Sequence, residues 1–383
     1  LLWVWRGLNR VSNGGEGMLV YFVFLAAVGL WSILYARFKS NPGFSKTLYA
    51  LMCIALTCLM GFRSTVVGVD TYAYSTYFTK IAQSNDPGYY MNVVSSAPVY
   101  SAYNKLVGIV SDDPQVLIFV TSFIICVGTL YFIRTFSANE PLSIFLFVAL
   151  YFYLDCFNGM RQGLAMALLL AAFTMVYLKK RKVLASLLVI CAIGTHATTL
   201  LMVPFLFLPL MRMNRKGFRA AIAAVVFVAI AVSAFSQDLV LLFVEMFDYA
   251  QYANMLSSTA YATTGKNALR TLFYGAILIL GMVLVLKAKE DPEVRRDRLV
   301  MIPALFGVCL GLAFYDNYLI GARIAGYYFM VFMIVVIPNC ANYLKWSRML
   351  YLMTACTASA VLFVFLLNGN YSGVVPYEAF WSA

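Results

Sequence analysis

Charge is what this sequence has least of. Only 11% of its 383 residues are charged and 63% are hydrophobic, whereas a soluble domain carries roughly 25% charged residues. A chain so composed cannot cover itself with a wet polar surface, which excludes a soluble globular protein and leaves a polytopic membrane protein. Histidine is scarcer still, with one in the whole chain, and the eight cysteines are scattered through apolar stretches without a Cys-x-x-Cys pair. Zinc fingers and multi-histidine metal sites are thereby excluded, and the cysteines read as small buried hydrophobes. Acids number 16 against 28 lysines and arginines, a formal charge of +12. Such an excess can mark a nucleic-acid binder. Here the cations stand in short clusters between apolar runs, so membrane lipids are the expected partners and nucleic acid is not. Internal repeats of the kind many transporters carry are also missing.

What is present is a succession of apolar runs. A helix crosses the ~30 Å hydrocarbon layer in about 20 residues. Runs of that kind occupy 18–36, 47–62, 114–133, 141–157, 162–178, 219–235, 271–287, 299–315, 324–342 and 349–367. Residues 1–17 read as a leader lying before the native start, with Met18 opening the first run. Residues 18–383 read as a single transmembrane domain with two large outer segments, 63–113 and 236–270. Within the second, Asp238–Asp248 has the pattern of an amphipathic interfacial helix.

Two stretches decide the topology. Val183 to Met211 is apolar but bracketed by Lys179–Lys182 and by Arg212, Arg215, Lys216 and Arg219. Short basic loops stay in the cytoplasm, so the stretch must go out and return as a hairpin of two short helices. The turn falls near Gly194-Thr195-His196, and halves of about 14 residues reach only ~20 Å, short of a full crossing. The stretch 93–110, with Ser95, Ser96, Pro98, Asn104 and Lys105, is too polar for a lipid-facing span and reads as a re-entrant or interfacial element outside. Most lysines and arginines then lie inside and most acids outside. The expected fold is an all-α membrane protein of about twelve spans, the broken hairpin near 183–211 included.

Ionisable groups at membrane depth are expensive and are functional candidates by default. This topology gathers them on the outer face. Arg63 and Asp70 follow the second span. Asp155, Asn158, Arg161 and Gln162 fill the turn between the fourth and fifth. His196 tops the hairpin, and Asp316, Asn317 and Arg323 lie between the tenth and eleventh. Arginine offers a permanently charged fork of donors suited to phosphate and diphosphate, and histidine can take a proton from a hydroxyl near neutral pH. A phosphate-activated donor meeting a hydroxyl acceptor needs those parts, and it needs no metal or other cofactor. Plainer readings stand beside these. An arginine at a span end, such as Arg270, is a snorkelling anchor, His196 an interhelical hydrogen-bond partner, Asp70-Thr71 a helix cap, and Asn158-Gly159 a turn.

The run Asn158-Gly-Met-Arg161-Gln162-Gly-Leu-Ala165, followed by Tyr177-Leu-Lys-Lys and Thr195-His196-Ala-Thr-Thr-Leu, resembles the EpsG-like, Wzy-type polysaccharide polymerases of bacterial membranes. Arg63-x6-Asp70-Thr-x-x-Tyr74 and Arg323-Ile-x-x-Tyr327-Tyr328 agree with the same pattern, and the resemblance covers roughly 18–345. Where family members often carry Glu before a Pro-x-Tyr, this chain has Ala97 before Pro98-Val-Tyr100. The resemblance implies a glycosyltransferase that joins undecaprenyl-diphosphate-linked oligosaccharide units on the outer face of the bacterial cytoplasmic (inner) membrane. A chain-length regulator protein is a partner by the same analogy. On that reading His196, Arg161 and Asp70 carry the chemistry, with His196 the first choice of base and Asp70 the second. Arg63, Arg323, Asn158, Gln162 and Asp155 hold substrate. Two rival functions remain open at this level: a membrane O-acyltransferase built on the lone histidine, and a flippase or transporter for lipid-linked sugars.

Overall fold

The computed structural model describes residues 14–94, 97–235, 264–314, 318–370 and 372–382. Most of the expected leader, the stretch Asp238–Asp248, and Asp316 and Asn317 lie outside the described residues. Among the described residues the secondary structure is helical, apart from one isolated bridge between Arg63 and Ala379. Several of the helices begin at a capping side chain. The helix Pro42–Gly61 starts at Asn41, whose side chain accepts from the N–H of Phe44 at 3.2 Å. Pro292–Ala313 starts at Asp291, which accepts from Val294 N–H at 2.7 Å. In both, proline fills the first helical position, where its missing N–H loses nothing.

In chain order the first helices are α1 (Gly14–Phe38), α2 (Pro42–Gly61), α3 (Thr71–Gln83), α4 (Pro87–Asn92), α5 (Pro98–Val110) and α6 (Pro114–Phe136). There follow α7 (Glu140–Ala149), α8 (Phe152–Asn158), α9 (Met160–Tyr177) and α10 (Lys182–Thr195). A 3-10 helix, Ala197–Leu210, precedes α11 (Arg215–Ala234), α12 (Thr264–Lys287) and α13 (Pro292–Ala313). A π-helical segment, Tyr318–Phe329, then leads to α14 (Met333–Cys340) and α15 (Arg348–Asn368). Eight of the described helices are long and apolar enough to cross a membrane, or nine if α7 and α8 form one span bent by 48°. Length and composition do not establish the expected total of about twelve. The hairpin helices have 14 residues each, and α13 opens with charged turns.

Apolar side chains face outward along the spans, as in Leu30, Ile33 and Phe227, which are 69%, 70% and 73% exposed. In water such a surface would aggregate; in lipid it is the ordinary one.

The chain divides into two compact units. One comprises Leu1–Leu130, Ile144–Ala167 and Thr357–Ala383; the other comprises Tyr131–Ser143 and Leu168–Cys356. In the first unit, Trp31 on α1 donates its indole N–H to Leu48 O on α2 at 3.0 Å. Helices α3 and α5 pack around Phe78, Val107, Leu117, Ile118 and Met160. With 13 residues, α5 is ~20 Å long, well short of the bilayer core, in keeping with an interfacial or re-entrant element. In the second unit, Phe132, Phe173 and Phe332 meet edge to face, and Phe136 lies tilted against Phe132 and Phe173. Asp297 anchors a buried polar knot there, accepting from Asn339 Nδ2 at 2.8 Å and Tyr343 OH at 2.6 Å.

The broken hairpin falls where the basic brackets place it, α10 and the 3-10 helix meeting at His196. Its two halves differ in reach. Pro204 and Pro209 lack the N–H that an α-helical ladder needs, and the second half is wound as a 3-10 helix. At about 2.0 Å rise per residue it extends to ~28 Å, not the ~20 Å of its α-helical partner.

Candidate functional site

In the first unit the loop after α2 is stitched to the end of α8. Arg63 is fully buried. Its Nη1 donates to Met60 O and its Nη2 to Phe157 O at 3.1 Å. Its guanidinium also lies 5.0 Å from the centre of the Phe157 ring. The same Phe157 carbonyl accepts from Thr71 Oγ1 at 3.1 Å. One residue on, Asn158 Oδ1 accepts from the backbone N–H of Asp70 at 2.9 Å. Burial lowers the Arg63 pKa to about 10, with the neighbouring tyrosines opposing that shift, so it stays protonated at neutral pH. Its committed donors make Arg63 a brace for the loop in this conformation.

The backbone is shaped for this arrangement. Tyr151, at φ 73°, interrupts the helix and turns α8 away from α7. Gly159 then separates α8 from α9, so Asn158 sits at a helix end and Arg161 in the first turn of the next helix. Gly68 adopts φ +91°, and a Cβ there would lie 2.7 Å from both Phe157 O and Thr71 Oγ1. Only glycine suits that position.

The structure thus brings Arg63, Asp70, Asp155, Asn158, Arg161 and Gln162 into one unit. Asp70 precedes α3 without capping it through its side chain, and it and Arg161 are half-buried. The Arg161 guanidinium lies 5.9 Å from the centre of the Tyr100 ring on α5. Asp155 accepts from Ser372 Oγ at 3.0 Å. Gln162 is buried, and its Oε1 has no protein hydrogen-bond partner.

His196 and Arg323 belong to the second unit. His196 is 7% exposed, and its Nδ1 lies 2.7 Å from Thr198 Oγ1, which in turn donates to Tyr328 OH at 3.3 Å. The donor in the His196–Thr198 bond depends on the imidazole tautomer; the tautomer with hydrogen on Nδ1 would donate to Thr198 and leave Nε2 as the basic nitrogen of the ring. Arg323 is half-buried in the π-helical segment, a conformation that recurs at functional sites. Arg270 does not snorkel. It is 3% exposed, with Nη2 3.2 Å from where a Cβ on Gly326 would stand.

Sequence reasoning passed over the C-terminal segment after α15. Gly373 O accepts from Gly68 N–H at 2.9 Å, and Glu378 O from Ser64 N–H at 2.7 Å. Tyr377 OH donates to Leu59 O at 3.0 Å, and Tyr21 OH to Val374 O at 2.7 Å. The segment is therefore a strap over the Arg63–Asp70 loop. The polar turn-forming run Asn368-Gly-Asn-Tyr-Ser-Gly373 was its only local signal. Tyr100, Thr198 and Tyr328 were legible as polar or aromatic residues, but no sequence pattern pairs them with Arg161 or His196.

These features define a helical multi-span membrane protein whose polar residues are held by helix breaks and a terminal strap. Residues 46–379 match the EpsG family, and the chain belongs to it. Membership implies a membrane protein of the polysaccharide-polymerase type. No curated protein and no solved structure matches the chain.

Proposed function

We propose that this protein polymerises undecaprenyl-diphosphate-linked oligosaccharides on the outer face of the bacterial cytoplasmic membrane. The observation that carries the reading, beyond family membership, is the stitching of Asp70 to Asn158 with Arg161 in the adjoining turn. It holds a carboxylate, an amide and a guanidinium in one unit through a hydrogen bond from the Asp70 backbone to the Asn158 side chain, 88 residues apart in sequence.

In the proposed step, the anomeric carbon of the growing chain breaks its bond to the lipid diphosphate oxygen. It forms a new bond to a hydroxyl of the incoming unit. The hydroxyl proton passes to a base, for which His196 Nε2 is the first choice and the Asp70 carboxylate the second. Undecaprenyl diphosphate leaves as an anion, and Arg161 and Arg323 stabilise its charge. Arg63 positions the loop that carries Asp70. Asn158 and Asp155 hold that architecture, and Gln162 Oε1 accepts from a sugar hydroxyl. Acceptor units and membrane lipids are the immediate partners, and a chain-length regulator is a further one by analogy with polymerases of this type. Residues 18–383 act as one transmembrane domain in this reading.

The test is a reaction of purified protein in detergent with lipid-diphosphate oligosaccharide from its own host, read as a ladder on a gel. Wild type should give a ladder, His196→Ala and Arg161→Ala none. Arg161→Lys should lose about tenfold or more in rate, because a point charge does not replace a fork. Near-normal polymer from Arg161→Lys would sink the diphosphate clamp, and no ladder from folded wild type would sink the polymerase reading.

A further inference from the structure

The second unit contains a cavity of about 810 Å³ that the polymerase reading does not use. It is lined by Lys179, Arg212, Arg295 and Arg296, with Tyr177 and Leu210 among the other residues. Three basic segments far apart in sequence, at 179–182, 212–219 and 287–298, therefore converge on one hollow. The inside-positive bias alone accounts for their charge but not for their convergence. No carboxylate lines the hollow. Arg296 is held by Asp297 at 3.1 Å, and Arg295 lies 3.7 Å from Glu290. Among the described residues Lys179 and Arg212 form no ion pair, so the lining retains a net positive charge.

Lys179 occupies an unusual place. Helix α9 ends with Lys180 N–H bonded back to Met175 O at 3.0 Å and Lys179 N–H to Val176 O at 3.1 Å. That is a Schellman closure, and its left-handed residue is normally glycine. Here it is Lys179, at φ 54°. A lysine in that conformation costs about 1 kcal/mol relative to glycine, and in return the closure carries an ammonium on the cavity wall.

The rim is apolar. Leu210 and Met211 line the same cavity and are 62% and 63% exposed. A hollow with net positive charge beside exposed aliphatic side chains fits an amphiphile, with an anionic head inside and acyl chains along Leu210 and Met211. We propose that this cavity binds the phosphate headgroup of an anionic lipid, at the end of the hairpin away from His196. The topology read from the sequence places that end in the cytoplasm, where the leaflet is anionic.

The experiment is native mass spectrometry of delipidated full-length protein titrated with dioleoyl phosphatidylglycerol, dioleoyl phosphatidylcholine or inorganic pyrophosphate. It compares wild type with the double variant Lys179→Gly, Arg212→Gln. Glycine suits the left-handed position better than lysine, so the variant keeps its fold, and its melting temperature is measured as the control. Expected is preferential binding of the phosphatidylglycerol, weakened about thirtyfold in the variant. Equal binding of the two lipids, or unchanged affinity in a folded variant, would overturn the proposal. Displacement of the lipid by an equal concentration of pyrophosphate would also overturn it, in favour of a soluble phosphate ligand. No polymer is read in this assay, so a failed ladder leaves its result standing.

Discussion

Asn158 Oδ1 accepts a 2.9 Å hydrogen bond from the backbone N–H of Asp70, and through it a helix end fixes the start of another helix. The amide is buried and sits one residue after the Phe157 carbonyl that receives Arg63 and Thr71. Replacing Asn158 with Ala leaves the Asp70 N–H without its acceptor. The expected loss is about 1–3 kcal/mol of stability together with most of the polymer ladder. Asn158→Asp, which keeps an acceptor oxygen, should recover more of the melting temperature than Ala does. Thermal unfolding in detergent measures both, and equal melting of the two variants would show that the bond holds nothing.

Gly68→Ala tests the close approach behind that bond. The added methyl would meet Phe157 O and Thr71 Oγ1 at 2.7 Å, at a backbone φ of +91°. Strain of this kind costs about 1–3 kcal/mol, and relief requires the loop to move away from α8. The variant should melt earlier and make less polymer, although no titratable group has changed. Normal activity would place the Asp70 loop outside the reaction.

Thr198→Val separates the base from its support. The hydroxyl that hydrogen-bonds Nδ1 of His196 is removed while the side-chain volume is nearly kept. A ring free to turn, or to carry its hydrogen on the other nitrogen, should polymerise about tenfold more slowly. The Michaelis constant for the lipid-linked unit should change little. A raised constant at unchanged turnover would instead assign His196 to binding.

Glu290 provides a pH test at a residue the proposed chemistry does not use. Its carboxylate accepts from Arg298 Nη1 at 2.7 Å and from Arg215 N–H at 3.2 Å. The Arg298 hydrogen bond, foremost, holds its pKa below the usual carboxylate value. A group depressed in this way stabilises the fold above its unfolded pKa, and that contribution disappears as pH falls through the lowered value. Melting temperatures followed from about pH 7 down to about pH 3 should fall less steeply for Glu290→Gln than for wild type. Parallel curves would show that the pair adds no pH-dependent stability.

Much of this architecture was legible along the chain because bilayer and helix impose one-dimensional rules. The bracketing of 183–211 by two basic clusters called for a hairpin, and the turn falls at His196. The run Asn158-x-x-Arg161-Gln162 marked the family, and residues 46–379 match it. The polarity of 93–110 marked a re-entrant or interfacial element, and the helix found there, α5, has 13 residues, in keeping with that reading. Reading Arg270 as a surface anchor failed, because a span-end arginine looks the same in sequence whether it faces headgroups or, as here, packs against Gly326. The reach of the hairpin's second half was misjudged too, since nothing in hydropathy distinguishes a 3-10 winding from an α-helical one.

Composition, apolar run length and the placement of basic residues settled by themselves that this is a helical membrane protein. Those properties depend on transfer from water to lipid, which acts on each segment almost independently. The tertiary structure alone decided which of the polar residues brace and which remain half-exposed. Arg63 and Arg161 are the same residue type, yet one is buried against the carbonyls of Met60 and Phe157 and the other lies over Tyr100. The C-terminal strap and the cation-lined cavity likewise join segments tens to hundreds of residues apart. Hydrogen bonds and ion pairs act over a few ångströms, and which groups come that close is set by packing, not by position in the chain.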